Sequence, residues 1–420
     1  MNTVLRADAA PHAAAATPQH DLVIVGGGMV GACLALALAP GGRSIVLVEP
    51  VLPESNAQPS FDERTTALSN GTRRILETLG VWPQIEAQAA PIRSIHVSDA
   101  GRFGVTRLEA AEQGLAALGY TMPNRVLGAA LWDRLRAEAR ITLHAPARVT
   151  AVKVEAGQAE LQLTAEGAPA AQRLRARLVV AADGANSLVR RTAGIPASVV
   201  DYHQVAIVAN LRAAIPASGI AYERFTPHGP LALLPLPDGS YTLVWTVLQE
   251  VAPALLATDD AALLTTLQER LGWRVGALQQ LGKRSSYPLA LTRTARSIAP
   301  RTVLVGNAAQ TLHPVAGQGF NLGIRDAALL ADLMAAAGDP GDPVRLERFE
   351  RQRASDRRNM IGFTDGLVRL FGSERPGVPM LRSLGLLLFD LSPPAKTALS
   401  RISWGFGHRA TRLLRGLPPG

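Results

Sequence analysis

Three glycines and one acid in the first fifty residues have the types and spacing of a phosphate cradle. Gly26-x-Gly28-x-x-Gly31 follows the apolar run Leu22-Val23-Ile24-Val25, and Glu49 closes the next such run, Ile45-Val46-Leu47-Val48. Between them Ala32 to Ala39 reads as a helix, stopped by Pro40-Gly41-Gly42. In such a strand–turn–helix–strand unit Gly26 makes the tight turn and Gly28 lets the backbone approach a pyrophosphate. Gly31 lets the helix pack on the strand. The helix N-terminus turns unpaired N–H groups and a positive dipole end toward phosphate. Glu49, 18 residues beyond Gly31, is placed to accept hydrogen bonds from an adenosine ribose. Residues 21–40 carry no charge after Asp21, and about 20 apolar residues can span a bilayer. Four glycines within six residues weigh against a membrane helix, since each costs about 1 kcal/mol in a helix interior.

This first turn does not separate FAD from NAD. Two later stretches bear on that choice. Residues 177–195 put an apolar strand before Asp183-Gly184 and follow it with arginines. Residues 301–334 start with a strand, pass Asn307, and enter a long apolar helix through His313-Pro314-Val315-Ala316-Gly317-Gln318-Gly319. A turn of that composition exposes backbone N–H groups and a helix N-terminus to a ligand.

The three motifs, in this order, resemble those of the FAD-dependent aromatic hydroxylases related to p-hydroxybenzoate hydroxylase. "FDERTTALS" (61–69), "IHVSD" (95–99), "YERFTPHGPLALLP" (222–235), "GKRSSYPLAL" (282–291) and "VGNAAQTLHPVAGQGFNLGIRD" (305–326) are similar to the ubiquinone-biosynthesis subgroup, above all its 2-polyprenyl-6-methoxyphenol hydroxylase branch. The resemblance runs from about residue 20 to 405. It implies a mixed α/β fold: a Rossmann-like FAD-binding domain with a parallel sheet (20–90, 110–195 and 300–340), an inserted antiparallel-sheet substrate domain (91–109 and 196–299), and a helical C-terminal region (341–420).

The same resemblance implies roles. Gly26, Gly28, Gly31 and Glu49 hold the ADP half of FAD. Arg64 and Arg125 contact its phosphate and ribityl regions, and Asp183 with Gly184 serves both FAD and the pyridine nucleotide. Asn307 stands where the wider family has Asp, so a ribityl hydrogen bond survives there without the charge. His313, Pro314 and Gly317-Gln318-Gly319 lie against the isoalloxazine ring, and Phe225, Leu234 and Pro235 near the substrate ring. The implied reaction reduces the flavin with NAD(P)H, adds O2 to give a C4a-hydroperoxide, and transfers the distal oxygen to a phenol. Water must be kept out. "GPLALLPLP" (229–237), "YTLVWTV" (241–247) and "YPLAL" (287–291) supply apolar walls. No second glycine fingerprint appears, so NAD(P)H has no dinucleotide fold of its own.

Other residues carry two readings each. His228 is a turn residue or a pocket wall, and Arg224 an exposed strand residue or a substrate contact. Trp245, in an alternating strand, reads as core, as does Cys33 on the first helix. A single cysteine excludes intramolecular disulfides and Cys-cluster metal sites, and the eight histidines show no ligand-like spacing, so no metal is expected.

The chain of 420 residues is 47% hydrophobic and 18% charged, and its net charge of +9 is scattered rather than gathered into a nucleic-acid-binding arm. Residues 1–19 have no apolar signal-peptide core and read as a disordered leader. The run Leu384 to Leu391 is too short to span and contains Asp390. It packs on the catalytic body, or it meets a membrane or a partner of the biosynthetic complex, with Arg382, Arg401, Arg409, Arg412 and Arg415 nearby. A cytoplasmic protein, peripheral at the inner face of the membrane, fits the second reading. Rival functions are a sister hydroxylase acting at another ring position, a small-phenol or salicylate hydroxylase, and a non-catalytic flavin-binding scaffold.

Overall fold

The computed structural model describes residues 19–53, 64–155, 157–165, 171–404 and 410–419, the side chains of 401–404 apart. The expected leader up to residue 18, residues 61–63 of the arginine motif, Arg409 and the Arg401 side chain lie outside them. Gln19 belongs to the first strand rather than to the leader.

The elements that position the site, in chain order, begin with β1 (Gln19–Val25), α1 (Met29–Leu38), β2 (Ile45–Val48), β3 (Thr65–Ser69), β4 (Ser94–Asp99) and β5 (Gln172–Ala181). There follow β6 (Ala197–Ala213), β7 (Ile220–Thr226), β8 (Gly229–Pro235), β9 (Tyr241–Leu248), β10 (Ser285–Thr294) and β11 (Thr302–Leu304). The helices α2 (Gly319–Ala335), α3 (Pro343–Phe371), α4 (Val378–Asp390) and α5 (Pro393–Trp404) complete them.

β1 is the centre of the first sheet, parallel to β2 on one side and to β5 on the other, and β5 pairs in parallel with β11. Side chains alternate across a strand, so the run Leu22-Val23-Ile24-Val25 feeds two cores. Leu22 and Ile24 pack with α1 and α2, whereas Val23 and Val25 pack with the hairpin Ala147–Glu155 and Gln158–Ala165. A strand covered on both faces reads as a continuous apolar run. Ten residues long and buried from Gly31 to Leu38, α1 is a core helix. Among the described residues no helix is long and apolar enough to cross a membrane.

The second sheet has nine strands, with β10, β6, β9, β8, β7 and β4 as successive neighbours. Its pairings are antiparallel except that of β7 with β4. Those two strands come from separate stretches of the chain, with β5 and its hairpin between them, so no tight turn forces them to run in opposite directions. One face of this sheet buries Leu231, Leu233, Leu243 and Trp245 against the helix Asp260–Leu271. Trp245 is therefore core, as its alternation indicates. The opposite face borders the cavities described below.

α3 is capped by Asp342, whose carboxylate accepts the Val344 N–H at 3.2 Å. Arg382, grouped above with surface arginines, is buried on α4. Its guanidinium grips Asp99 of β4 with two N–H donors, at 2.8 and 3.1 Å, and also donates to the carbonyls of Leu370 and Phe371. An arginine fully paired in this way ties the C-terminal helices to the sheet and offers no charge to a partner.

Candidate active site

The glycine turn after β1 is built against its neighbours. Gly26 has φ +105°, and a Cβ there would stand 2.3 Å from the carbonyl oxygen of Ala182. A Cβ on Gly31 would stand 1.9 Å from the carbonyl oxygen of Gly26. Both are far inside contact distance, so only glycine closes this turn. Gly28 is the N-cap of α1 with no side-chain cap, and no acid occupies the first turn. The first amides of a helix have no partner within it, and here they border a cavity of about 460 Å³. Glu49 is buried at the end of β2; its two carboxylate oxygens accept the N–H of Gly27 at 2.6 Å and of Val51 at 3.0 Å. These bonds orient the carboxylate and hold the turn together.

The second motif joins the same cavity through Gly184, at φ +81°. Asp183 accepts the N–H groups of Leu188 at 2.8 Å and Val189 at 3.3 Å, and its other oxygen is buried with no partner among the described residues. Burial pushes its carboxyl above the usual range, against those hydrogen bonds. Arg190 then ties this motif to the third, donating to the carbonyl of Ala308 at 3.0 Å.

In the third motif Asn307, Pro314, Gly317 and Gly319 border the cavity. Ala316 and Gly317 both have positive φ, +63° and +59°. A left-handed alanine is strained, and such strain gathers at functional loops. Asn321 fixes the turn, donating at 2.8 Å to the carbonyls of both Gly317 and Ala67 and accepting the N–H of Ser69 at 2.8 Å. His313 and Gln318 are buried within the loop rather than on the wall of this cavity. The Nδ1 of His313 accepts the Val315 N–H at 3.1 Å, its ring meets Tyr202 edge-on, and its Nε2 has no partner among the described residues. Burial takes its pKa down to about 4, with Asp365 opposing, so the ring is a neutral brace.

Of the two arginines, Arg64 is on the cavity wall, its guanidinium 4.5 Å from the centre of the Tyr287 ring. Arg125 borders a separate groove with Arg212, Asp238 and Ser240. Thr65 borders both spaces.

Strand parity sorts the three residues expected near a substrate ring. Leu234 is on the cavity wall with Pro230, Ala232, Val244 and Thr246. Pro235, one residue on, has the parity of Leu231 and Leu233, and its carbonyl accepts the Thr121 hydroxyl. It is not a wall residue. Phe225 is on a wall, but of a second cavity of about 330 Å³, and its ring stacks on Phe371. That cavity is apolar and bounded on one side by the C-terminal helices, through Phe363, Leu367, Leu386, Phe389 and Leu399. It adjoins the first: Ala67, Ile92, Ile95, Glu223, Val315 and Ala316 border both. Sequence reasoning passed over Glu223, Asn321 and the C-terminal cavity walls. His228 is at the β7–β8 turn, and Arg224 donates to the Arg270 carbonyl at 2.7 Å.

A cradle only glycine can form, an oriented acid behind it, and a strained turn at the cavity edge fit a dinucleotide with a planar reactive ring. Comparisons agree. The family described as an FAD binding domain matches residues 19–364. Ubiquinone hydroxylase UbiL of Rhodospirillum rubrum is 38% identical over 95% of this chain and 93% of its own. The 3-demethoxyubiquinol 3-hydroxylase of Escherichia coli is 34% identical over 87% of this chain and 94% of its own. In fold, the p-nitrophenol 4-monooxygenase PnpA of Pseudomonas putida superposes with a TM-score of 0.77 at 17% identity, over 94% of this chain and all of that one.

Proposed function

The chain belongs to the FAD binding domain family and is an FAD-dependent hydroxylase, and from that premise we propose that it hydroxylates the ring of a polyprenylated methoxyphenol in ubiquinone biosynthesis, with NAD(P)H and O2 as co-substrates. The observation that carries the substrate is the pair of adjoining cavities, one at the glycine turns and one apolar. A ring seated in the first would extend an isoprenoid tail into the second. A small soluble phenol would leave the apolar cavity without use, which weighs against the small-phenol reading.

In this reading the segments 20–90, 110–195 and 300–340 hold FAD, and 91–109 with 196–299 cover the substrate side. Gly26, Gly28 and Gly31 seat the pyrophosphate at the start of α1, Glu49 takes the ribose, and Arg64 meets the phosphate and ribityl region from the cavity wall. Arg125 approaches that region from the neighbouring groove. Asp183 and Gly184 form the second edge of the cofactor site, and Asn307 accepts from the ribityl chain. Pro314, Gly317 and Gly319 present backbone to the flavin ring, while His313 and Gln318 brace that turn from behind. Bound FAD supplies the redox chemistry, passing electrons from NAD(P)H to O2 and one oxygen atom to the ring. The protein's own work is orientation and exclusion of water, through Leu234, Val244 and the apolar walls.

We assign the membrane contact to α4. Its outer side exposes Met380, Leu381, Leu384, Leu387 and Leu388, with Leu391 at its end, at helical spacing. Leu386 and Phe389 of the same helix border the tail cavity. A peripheral protein at the cytoplasmic face would thus draw its substrate from lipid beside the cavity that receives it. Sedimentation with anionic vesicles at low salt tests this, and a protein left in the supernatant would count against it.

Turnover tests the main reading. FAD-loaded protein, NADH or NADPH, O2 and a short-tailed 2-prenyl-6-methoxyphenol should give a product heavier by one oxygen, added para to the phenol hydroxyl. Oxygen at another ring position would instead make the protein a sister hydroxylase. Nucleotide oxidation yielding only H2O2 would count against this substrate.

A further inference from the structure

We propose that Glu223 binds the substrate's phenolic hydroxyl and takes up its proton during hydroxylation, an inference that rests on the phenol-hydroxylase reading of the site. Glu223 is on β7, with Val97 of β4 opposite on one side and Ala232 of β8 on the other. Side chains of one parity share a face, so its neighbours there are Ala221 and Phe225 along the strand and Ile95, Val97 and Asp99 beside it. Asp99 is paired with Arg382, and Glu223 is the other acid of an otherwise apolar strip. The carboxylate has no hydrogen bond or ion pair among the described residues. Arg224, next along the chain, is bonded to the Arg270 carbonyl on the other face. Across the cavities stand Val315 and Ala316 of the strained turn. Among the described residues Arg64 and Tyr222 are the other ionisable side chains bordering the first cavity, and the second has none besides Glu223. Burial alone raises the Glu223 carboxyl to about 7. A half-buried acid with no structural partner among the described residues, standing in a cleft, is a functional candidate.

Its position selects the ligand group it meets. Among the described residues six border both cavities, and of these Glu223 alone is ionisable. With the ring in the first cavity and the tail in the second, the tail-bearing carbon sits at this junction. In a 2-prenylphenol the hydroxyl is on the adjacent carbon, so it too faces the junction. The O–H bond breaks, the proton passes to a Glu223 carboxylate oxygen, and the electron pair stays on the phenol oxygen. That oxygen then feeds electron density to its ortho and para carbons, which raises their reactivity toward an electrophilic oxygen. After oxygen transfer the ring is a dienone. Glu223 returns its proton to the dienone carbonyl as the hydroxylated carbon loses its hydrogen to solvent as a proton, and the aromatic ring is restored.

Binding and kinetics test this in the FAD-loaded protein, with short-tailed 2-prenyl-6-methoxyphenol and its O-methyl ether as probes. Wild type should bind the phenol roughly tenfold more tightly than the ether at pH 8, the low end for a hydrogen bond to a charged group. Glu223→Leu should bind the two alike. Glu223→Gln should keep KM near that of wild type and lose kcat on the order of 100-fold. It should also lose the acid limb of the wild-type pH profile near 7. An electron-poor analogue that is already ionised at pH 8 should restore much of its kcat, since no proton remains to be taken. Flavin content equal to wild type certifies each variant as folded. Variants that still favour the phenol over the ether and keep the acid limb overturn the inference and leave the hydroxylase reading intact. Wild type that binds neither probe overturns the reading and the inference with it.

Discussion

Phe225 of β7 stacks on Phe371 at the end of α3, with ring centroids 3.6 Å apart and planes 19° from parallel. The pair joins the nine-stranded sheet to the C-terminal helices and forms part of the apolar cavity wall. Removing one ring should widen the cavity and loosen the joint. For Phe371→Ala we expect a stability loss of about 3 kcal/mol, at the lower end for a buried Phe because a cavity is already present to absorb the change. Short-tailed substrates should lose more kcat/KM than long-tailed ones, which can fill the added space. Denaturant melts and a substrate series graded by tail length would check both, and an unchanged tail preference would remove Phe371 from the tail site.

Two glycines with positive φ separate backbone strain from steric exclusion. A Cβ on Gly26 would meet the Ala182 carbonyl oxygen at 2.3 Å, whereas one on Gly184 would meet nothing within 4 Å. Gly26→Ala should therefore displace the turn and purify without flavin. Gly184→Ala should fold and retain flavin, losing about 1 to 2 kcal/mol for the left-handed backbone. The ratio of flavin to protein absorbance, with thermal melts, distinguishes the two outcomes.

The parts of this architecture that were legible in the sequence are those where one physical demand leaves one residue type. A strand covered on both faces must be apolar throughout, as in Leu22 to Val25, and a turn closed against backbone must be glycine, as at Gly26 and Gly31. Elsewhere the residue type serves two ends. Leu234 and Pro235 are both apolar, and only the parity of β8, set by its pairing to β7 and β9, gives one to the cavity and the other to the opposite face. Phe363, Leu386 and Phe389 border a cavity with the same residue types that fill a core, so their pattern announces a buried helix face and no more. Arg382 reads as a surface charge, and Glu223 does not stand out, because local sequence does not contain their surroundings. Asp99, which pairs Arg382, is 283 residues away, and the hydrophobic strip around Glu223 is assembled from three strands.

Asp326 should matter to the cofactor loop as much as to stability. It is fully buried on α2 and accepts from Arg353 at 2.7 Å and Arg357 at 3.3 Å. Its second oxygen accepts the Gly306 N–H at 3.1 Å and the Gln310 side chain at 3.0 Å, next to Asn307. Burial works against its charge, but Arg357 and Arg353 hold the carboxyl below its usual range. Asp326→Asn leaves two buried guanidinium groups short of a counter-charge, which costs about 3 to 5 kcal/mol. It should also weaken flavin retention by freeing the Gly306 turn. A variant with wild-type melting behaviour would show the arginines to be satisfied by Asp356 and Glu350 alone.

His313 should make the loop acid-sensitive. Burial lowers its pKa from 6.5 to about 4, so the folded protein holds the ring neutral while the unfolded chain protonates it near 6.5. The unfolded state therefore binds the extra proton between those values. Stability that is full above pH 6.5 drains away as the pH falls toward 4, by about 1.4 kcal/mol per unit and approaching 3 kcal/mol in all. Nδ1 accepts the Val315 N–H, so the loss falls on the turn that carries Ala316 and Gly317. Acidification from pH 7 to 5 should release flavin before the sheets unfold. His313→Gln, which cannot be protonated, should flatten the stability slope over that range. Denaturant titrations of wild type and variant at pH 7 and pH 5, read by flavin fluorescence and by far-UV circular dichroism, measure both effects; equal slopes in the two proteins would assign the acid sensitivity to another group.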